Sequence, residues 1–147
     1  MSELQALAPL RPALTGSPSR GLPRAMHRPS DLLAVLAALM GASGVALAAV
    51  STHAGGGDLG RTAAQFLILH AAALIGVTAA ARAGSARRAR RLLIAGAGLA
   101  LGTLLFAGDL TKLAFTATRL FPYAAPSGGS LMILSWIVLA AAFALPE

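Results

Sequence analysis

From Thr62 to Ala81 the chain runs for twenty residues without a charged side chain. Three other stretches are nearly as apolar: Leu32–Val50, Leu92–Thr116 and Ser127–Leu145. About 20 apolar residues in a helix, at 1.5 Å each, cross a hydrocarbon layer of about 30 Å. Lipid offers no hydrogen bonds to a bare backbone, so only helices and closed barrels can span it. The four stretches are rich in Ala and Leu and lack period-2 alternation, which excludes a barrel. The expected fold is therefore all-α: an integral membrane four-helix bundle over 31–147, with helices near 32–50, 62–81, 92–116 and 127–145.

Composition agrees. Hydrophobic residues make up 56% and charged residues 12%, roughly half the charged share of a soluble domain. A soluble chain of 147 residues could not hide that much apolar surface. Mean hydropathy is +0.74. Cysteine is absent, which excludes disulfides and thiolate metal sites.

The net charge of +7 does not point to nucleic acid. Arg11, Arg20, Arg24 and Arg28 precede the first span, and Arg82, Arg87, Arg88, Arg90 and Arg91 lie between the second and third. Basic clusters beside apolar spans mark topology, and no aromatic pairs stand near them to stack bases. Residues 1–30, with Pro12, Pro18, Pro23 and Pro29 among the arginines, read as a disordered tail. Met26 is an alternative start. Asp31 is the expected cap of the first helix. The first span, with Arg24 and Arg28 before it and Ala46-Leu47-Ala48 near its end, also has a signal-peptide reading; Gly41 and Gly44, as helix-packing positions, favour a retained helix. With four spans, the tail, the 82–91 loop and the C-terminus share one side, which holds nine of the twelve basic residues. The positive-inside rule makes that side cytoplasmic. The protein is expected in a cell inner membrane with both termini on the cytoplasmic side, and with 51–61 and 117–126 facing outward.

Small residues are candidate packing positions, because they let helix backbones approach where lipid supplies no hydrophobic drive. Gly41 and Gly44 lie on the first helix, and Gly98, Gly102 and Gly108 on the third. Polar residues at membrane depth are functional candidates by default. His53, Gln65, His70, Asp109, Lys112 and Ser127 all fall toward the outward half, and the opposite half is nearly pure Ala, Leu, Gly and Ile. Asp109 and Lys112, three positions apart, are expected to meet on one face. Asp109 lies about 26 Å along the helix from Leu92, near the outer edge of the hydrocarbon. There it is expected to tether the third helix to the outer loops and to the amides of "PSGG", Pro126–Gly129. His53 and His70 lack ligand spacing, so no metal and no cofactor is assigned. No G-x-S-x-G and no phosphate loop is present, so no catalytic residue is assigned.

Four segments resemble one family: "GASGVALAAVSTHAGG" (41–56), "QFLILHAAAL" (65–74), "GTLLFAGDLTKLAF" (102–115) and "APSGGSLMILSWIVL" (125–139). Together they are similar to domain-of-unknown-function family 423. The family's motifs fall on His53; on Gln65 and His70, one residue wider apart than the family pattern; on Phe106 and Gly108; and on Pro126, Gly128, Gly129 and Trp136. The chain departs at Asp109, Lys112 and Ser135. The resemblance implies a compact four-helix inner-membrane protein and no activity. The leading expectation is a structural or accessory protein whose partners are lipid, other membrane proteins or a second copy. A small proton-coupled transporter built on the outer polar set is the alternative, and a haem- or quinone-binding redox protein a lesser one.

Overall fold

The computed structural model describes residues 29–146. The tail read over 1–30 lies outside them, except that Pro29 and Ser30 open the first helix. Four helices follow: α1 (Pro29–His53), α2 (Gly57–Ala83), α3 (Ala86–Thr116) and α4 (Ala124–Ala144). All four are long and apolar enough to cross a membrane.

Each helix starts earlier than its apolar run. Asp31 is inside α1 and does not cap it; its carboxylate accepts from Arg82 Nη2 at 2.7 Å. α2 begins at Gly57, where the glycines and charges suggested a loop. Asp58 in its first turn favours the helix N-terminus and pairs with Arg61 one turn on. α3 begins at Ala86, so most of the arginine "loop" is helix. Ala and Arg are good helix formers, and Ser85 caps the start by accepting from the Arg88 amide. α4 begins at Ala124, which puts Pro126 in its first turn, where a missing amide costs nothing.

The order in space follows the order in sequence. α1 packs on α2, α2 on α3 and α3 on α4, with a light contact between α1 and α3. The α4 backbone comes within 8 Å of α3 alone, Cα to Cα. The helices thus form an open array, with α2 and α3 at the centre and α1 and α4 as wings. Over their most apolar windows α2 and α3 bury 44% and 50%, against 22% for α1 and 28% for α4. Large apolar side chains remain exposed on every helix, among them Leu39, Leu69, Leu101 and Ile137.

Backbone-to-backbone approach fixes two of the seams. A Cβ on Gly44 of α1 would lie 3.0 Å from the Ala64 carbonyl of α2. A Cβ on Gly128 of α4 would lie 2.6 Å from the Phe106 amide nitrogen of α3, and one on Gly102 would lie 2.9 Å from the Gly128 carbonyl oxygen. Only glycine permits such close crossing. Gly98 faces the Ser135 side chain on the same α3–α4 seam. Gly41 is in ordinary contact range of Ala71 and Gly108 of Leu120, and Gly129 has open space.

Candidate functional site

The turn after α3 folds back onto its own helix. Ala117 ends α3 in the left-handed region (φ 53°), and Tyr123 precedes α4 in the same region (φ 67°). Between them the chain passes over the last turns of α3. Asp109, fully buried, accepts there from Arg119 Nη1 at 3.0 Å and from the Leu120 amide at 2.8 Å. Lys112 Nζ donates to the Arg119 carbonyl at 3.1 Å. Leu120 packs beside Gly108, at a distance that a Cβ would meet in ordinary contact. Charge-assisted bonds of this kind are about twice as strong as neutral ones, and they satisfy a carboxylate that would otherwise be costly to bury.

Two expectations need correcting. Asp109 and Lys112 do not pair with each other; both hold Arg119, one through its guanidinium and the other through its carbonyl. Asp109 also does not reach the "PSGG" amides. Those belong to turns inside α4, where Ser127 N donates to the Tyr123 carbonyl at 2.9 Å. The tether to the loop exists, but its partners are Arg119 and Leu120. Arg119 lies ten residues past Asp109, beyond a helix end, where no helical periodicity could connect the two.

His70 belongs to a separate network. Its Nδ1 lies 2.8 Å from the Phe66 carbonyl, which can only accept, so Nδ1 donates. Nε2 is left to accept the indole N–H of Trp136 at 3.4 Å. The imidazole stacks on Phe66 at 5.5 Å between centroids, and Phe66 packs on Phe106 at 4.6 Å. Trp136 thus reaches from α4 to α2 across a gap that their backbones do not close. Phe66 carried no sequence signal beyond its i, i+4 spacing to His70.

The remaining polar candidates do not join these two networks. His53 is exposed at the end of α1, Gln65 is exposed on α2, and Ser127 and Pro126 are exposed on α4. His70 lies about 20 Å along α2 from Gly57, which separates it from the His53 end. Among the described residues no three His, Cys, Asp or Glu side chains gather as metal ligands. The convergence of all six polar residues on one outer cluster is therefore replaced by two buried networks and three surface residues. Ser51 was not anticipated: it is buried against the Gly56 and Gly60 backbones, and its hydroxyl has no hydrogen-bond partner.

Two hollows flank this end of α3. One, of about 470 Å³, lies between α1 and α3 over Leu67 of α2 and ends at Thr111 and Lys112. The other, of about 570 Å³, opens between α2 and α4 and includes Phe106, Arg119, Pro126 and Gly129.

No curated protein and no solved structure matches the chain. One family model does, over residues 40–129. That span is more than half of the chain, and it takes in Gly44, His70, Asp109 with its loop, and the Gly102–Gly128 crossing, stopping short of Trp136. With the four apolar helices and these motif residues in place, the chain belongs to the family described as protein of unknown function (DUF423).

Proposed function

We propose that this is a multi-pass accessory protein of the cell inner membrane, which acts by binding lipid or partner helices. The observation that carries this reading is the state of Asp109. It is the one acid well inside an apolar helix among the described residues, and both of its oxygens are taken up in holding the 117–123 loop. A proton- or ion-carrying acid has to exchange with a path; this one is closed off by its own loop. His70 likewise has both nitrogens engaged within the protein.

Topology follows from the arginines. Arg82 joins Asp31, and Arg91 donates to the Pro146 carbonyl at 3.4 Å, so both ends of the described chain lie beside the 84–85 turn. The positive-inside rule assigns that end to the cytoplasm. The chain has no cysteine, so single cysteines at Ser85 and at the exposed Ala54 report the orientation. An impermeant thiol reagent added outside is expected to label position 54 and spare 85. The reverse pattern would overturn the orientation.

Function is tested in a strain lacking the protein. Asp109→Asn keeps the shape and removes the charge. A folded, inserted Asp109→Asn chain is expected to restore the wild-type phenotype. Failure to do so would make Asp109 part of an ion path and overturn the accessory reading.

A further inference from the structure

The hollow between α1 and α3 continues along the array. A second hollow, of about 360 Å³, shares Leu36 and Leu104 with the first and runs on toward Leu93 and Pro29. The upper part, from Leu104 to Lys112, is about 12 Å long at the helical rise, close to half of a 30 Å hydrocarbon layer. Its walls are Leu36, Leu39, Leu47, Leu104 and Ala107, with Met40 and Leu67 at its floor. At its end stands Lys112. The carboxylate nearest to it in sequence, Asp109, is engaged by Arg119 and Leu120, and the Lys112 ammonium donates only to a neutral carbonyl. Its charge is thus uncompensated by any acid among the described residues. An apolar slot one leaflet deep, closed by a lone cation at the end where headgroups lie, matches an anionic phospholipid in both chemistry and length.

We infer that the α1–α3 crevice holds one acyl chain of an anionic phospholipid, with its phosphate at Lys112. This rests on the membrane reading above and deepens it by naming the lipid class and the seat. The Lys112 ammonium keeps two N–H donors for the phosphate while its third holds the Arg119 carbonyl. Lipid binding would therefore also brace the 117–123 loop.

The test uses the full chain in nanodiscs of equal phosphatidylglycerol and phosphatidylcholine, with retained lipid read by native mass spectrometry. About a fivefold preference for phosphatidylglycerol is expected, the size of one cation's attraction to an anionic surface. Lys112→Gln can still donate to the Arg119 carbonyl and should lose the preference. Ser43→Phe, filling the crevice from the exposed side of α1, should lose the retained lipid. Equal retention of the two lipids by the wild-type chain overturns the inference, as does an unchanged preference in Lys112→Gln. A photoreactive phosphatidylglycerol tests the seat without any variant: label on α1 and α3 peptides around Leu39 and Leu104 is expected, and label confined to α4 would place the lipid elsewhere. A failure here with a complementing Asp109→Asn chain removes the lipid seat and leaves the accessory reading standing.

Discussion

The two ends of the helix array use the same ion pair in opposite ways. At the 84–85 end, Arg82 meets Asp31 with the two side chains 50% and 30% exposed. At the 117–123 end, Arg119 meets Asp109 with the acid at 0%. The first pair lies where water can replace either partner. The second closes a loop over a carboxylate with no other counter-charge. The contrast extends to the neighbours. Near the first end Arg88 stacks over the Phe143 ring at 5.5 Å and Arg91 touches the last described residue. The Arg91 contact is exposed, where salt and solvent weaken it. Near the second end three separate attachments hold one seven-residue loop to α3. Equal chemistry therefore carries unequal weight, and burial decides which.

That comparison can be broken by mutation. Arg119→Ala leaves the Asp109 charge buried with only the Leu120 amide. Breaking a fully buried pair costs roughly 3–5 kcal/mol; because Arg119 is half exposed, a loss of about 2–3 kcal/mol is expected. Denaturant unfolding in micelles measures it, and adding Asp109→Asn should recover part of the loss. A loss below about 0.5 kcal/mol would place the two ion pairs in one class.

His70→Gln lies between the extremes. It keeps an amide able to serve one of the two hydrogen bonds but loses the stack on Phe66. The expected loss is about 1 kcal/mol, the scale of single interhelical bonds in membranes. Near-ultraviolet dichroism of the single tryptophan should change with it, since Trp136 donates to His70. An unchanged signal would show that the indole does not depend on the imidazole. Arg82→Ala should have the smallest effect, about 0.5 kcal/mol or less, and a loss matching that of Arg119→Ala would erase the difference between the ends.

Much of this fold could be read in the chain. Four apolar stretches, each about long enough to span a membrane, mark the four helices, because apolar length is a local property. The helix starts were missed where local signals mislead. "GGGDLGR" and "ARRARR" look like loops by glycine and charge, yet both stretches enter helices, since only Ala54, Gly55 and Gly56 before α2, and Gly84 and Ser85 before α3, make the turns. Gly56 is fixed twice, by its φ of 116° and by the Phe115 ring that a Cβ would meet at 2.7 Å. The glycine spacing on α3 pointed toward a close seam, while its counterpart Gly128 stood out only through the family resemblance. The partners of Asp109 could not be read at all. A residue across a loop is positioned by the path of the turn, and no periodicity carries that information.

The open array has a consequence for how the protein is made. Every helix finds its main partner in its neighbour along the chain, and α4 has no backbone contact with α1 or α2. Nearly all packing is thus sequence-local, which lowers the entropic cost of bringing partners together. During synthesis the α1–α2 hairpin can close on Gly44 before α3 has been made, and α3–α4 can close on Gly102 and Gly128 afterward. The α2–α3 seam then joins two finished hairpins across the two-residue Gly84–Ser85 turn. In the assembled array the Trp136 side chain of the second hairpin reaches His70 of the first. That hydrogen bond, between the two helices whose backbones do not meet, reports that both halves have assembled.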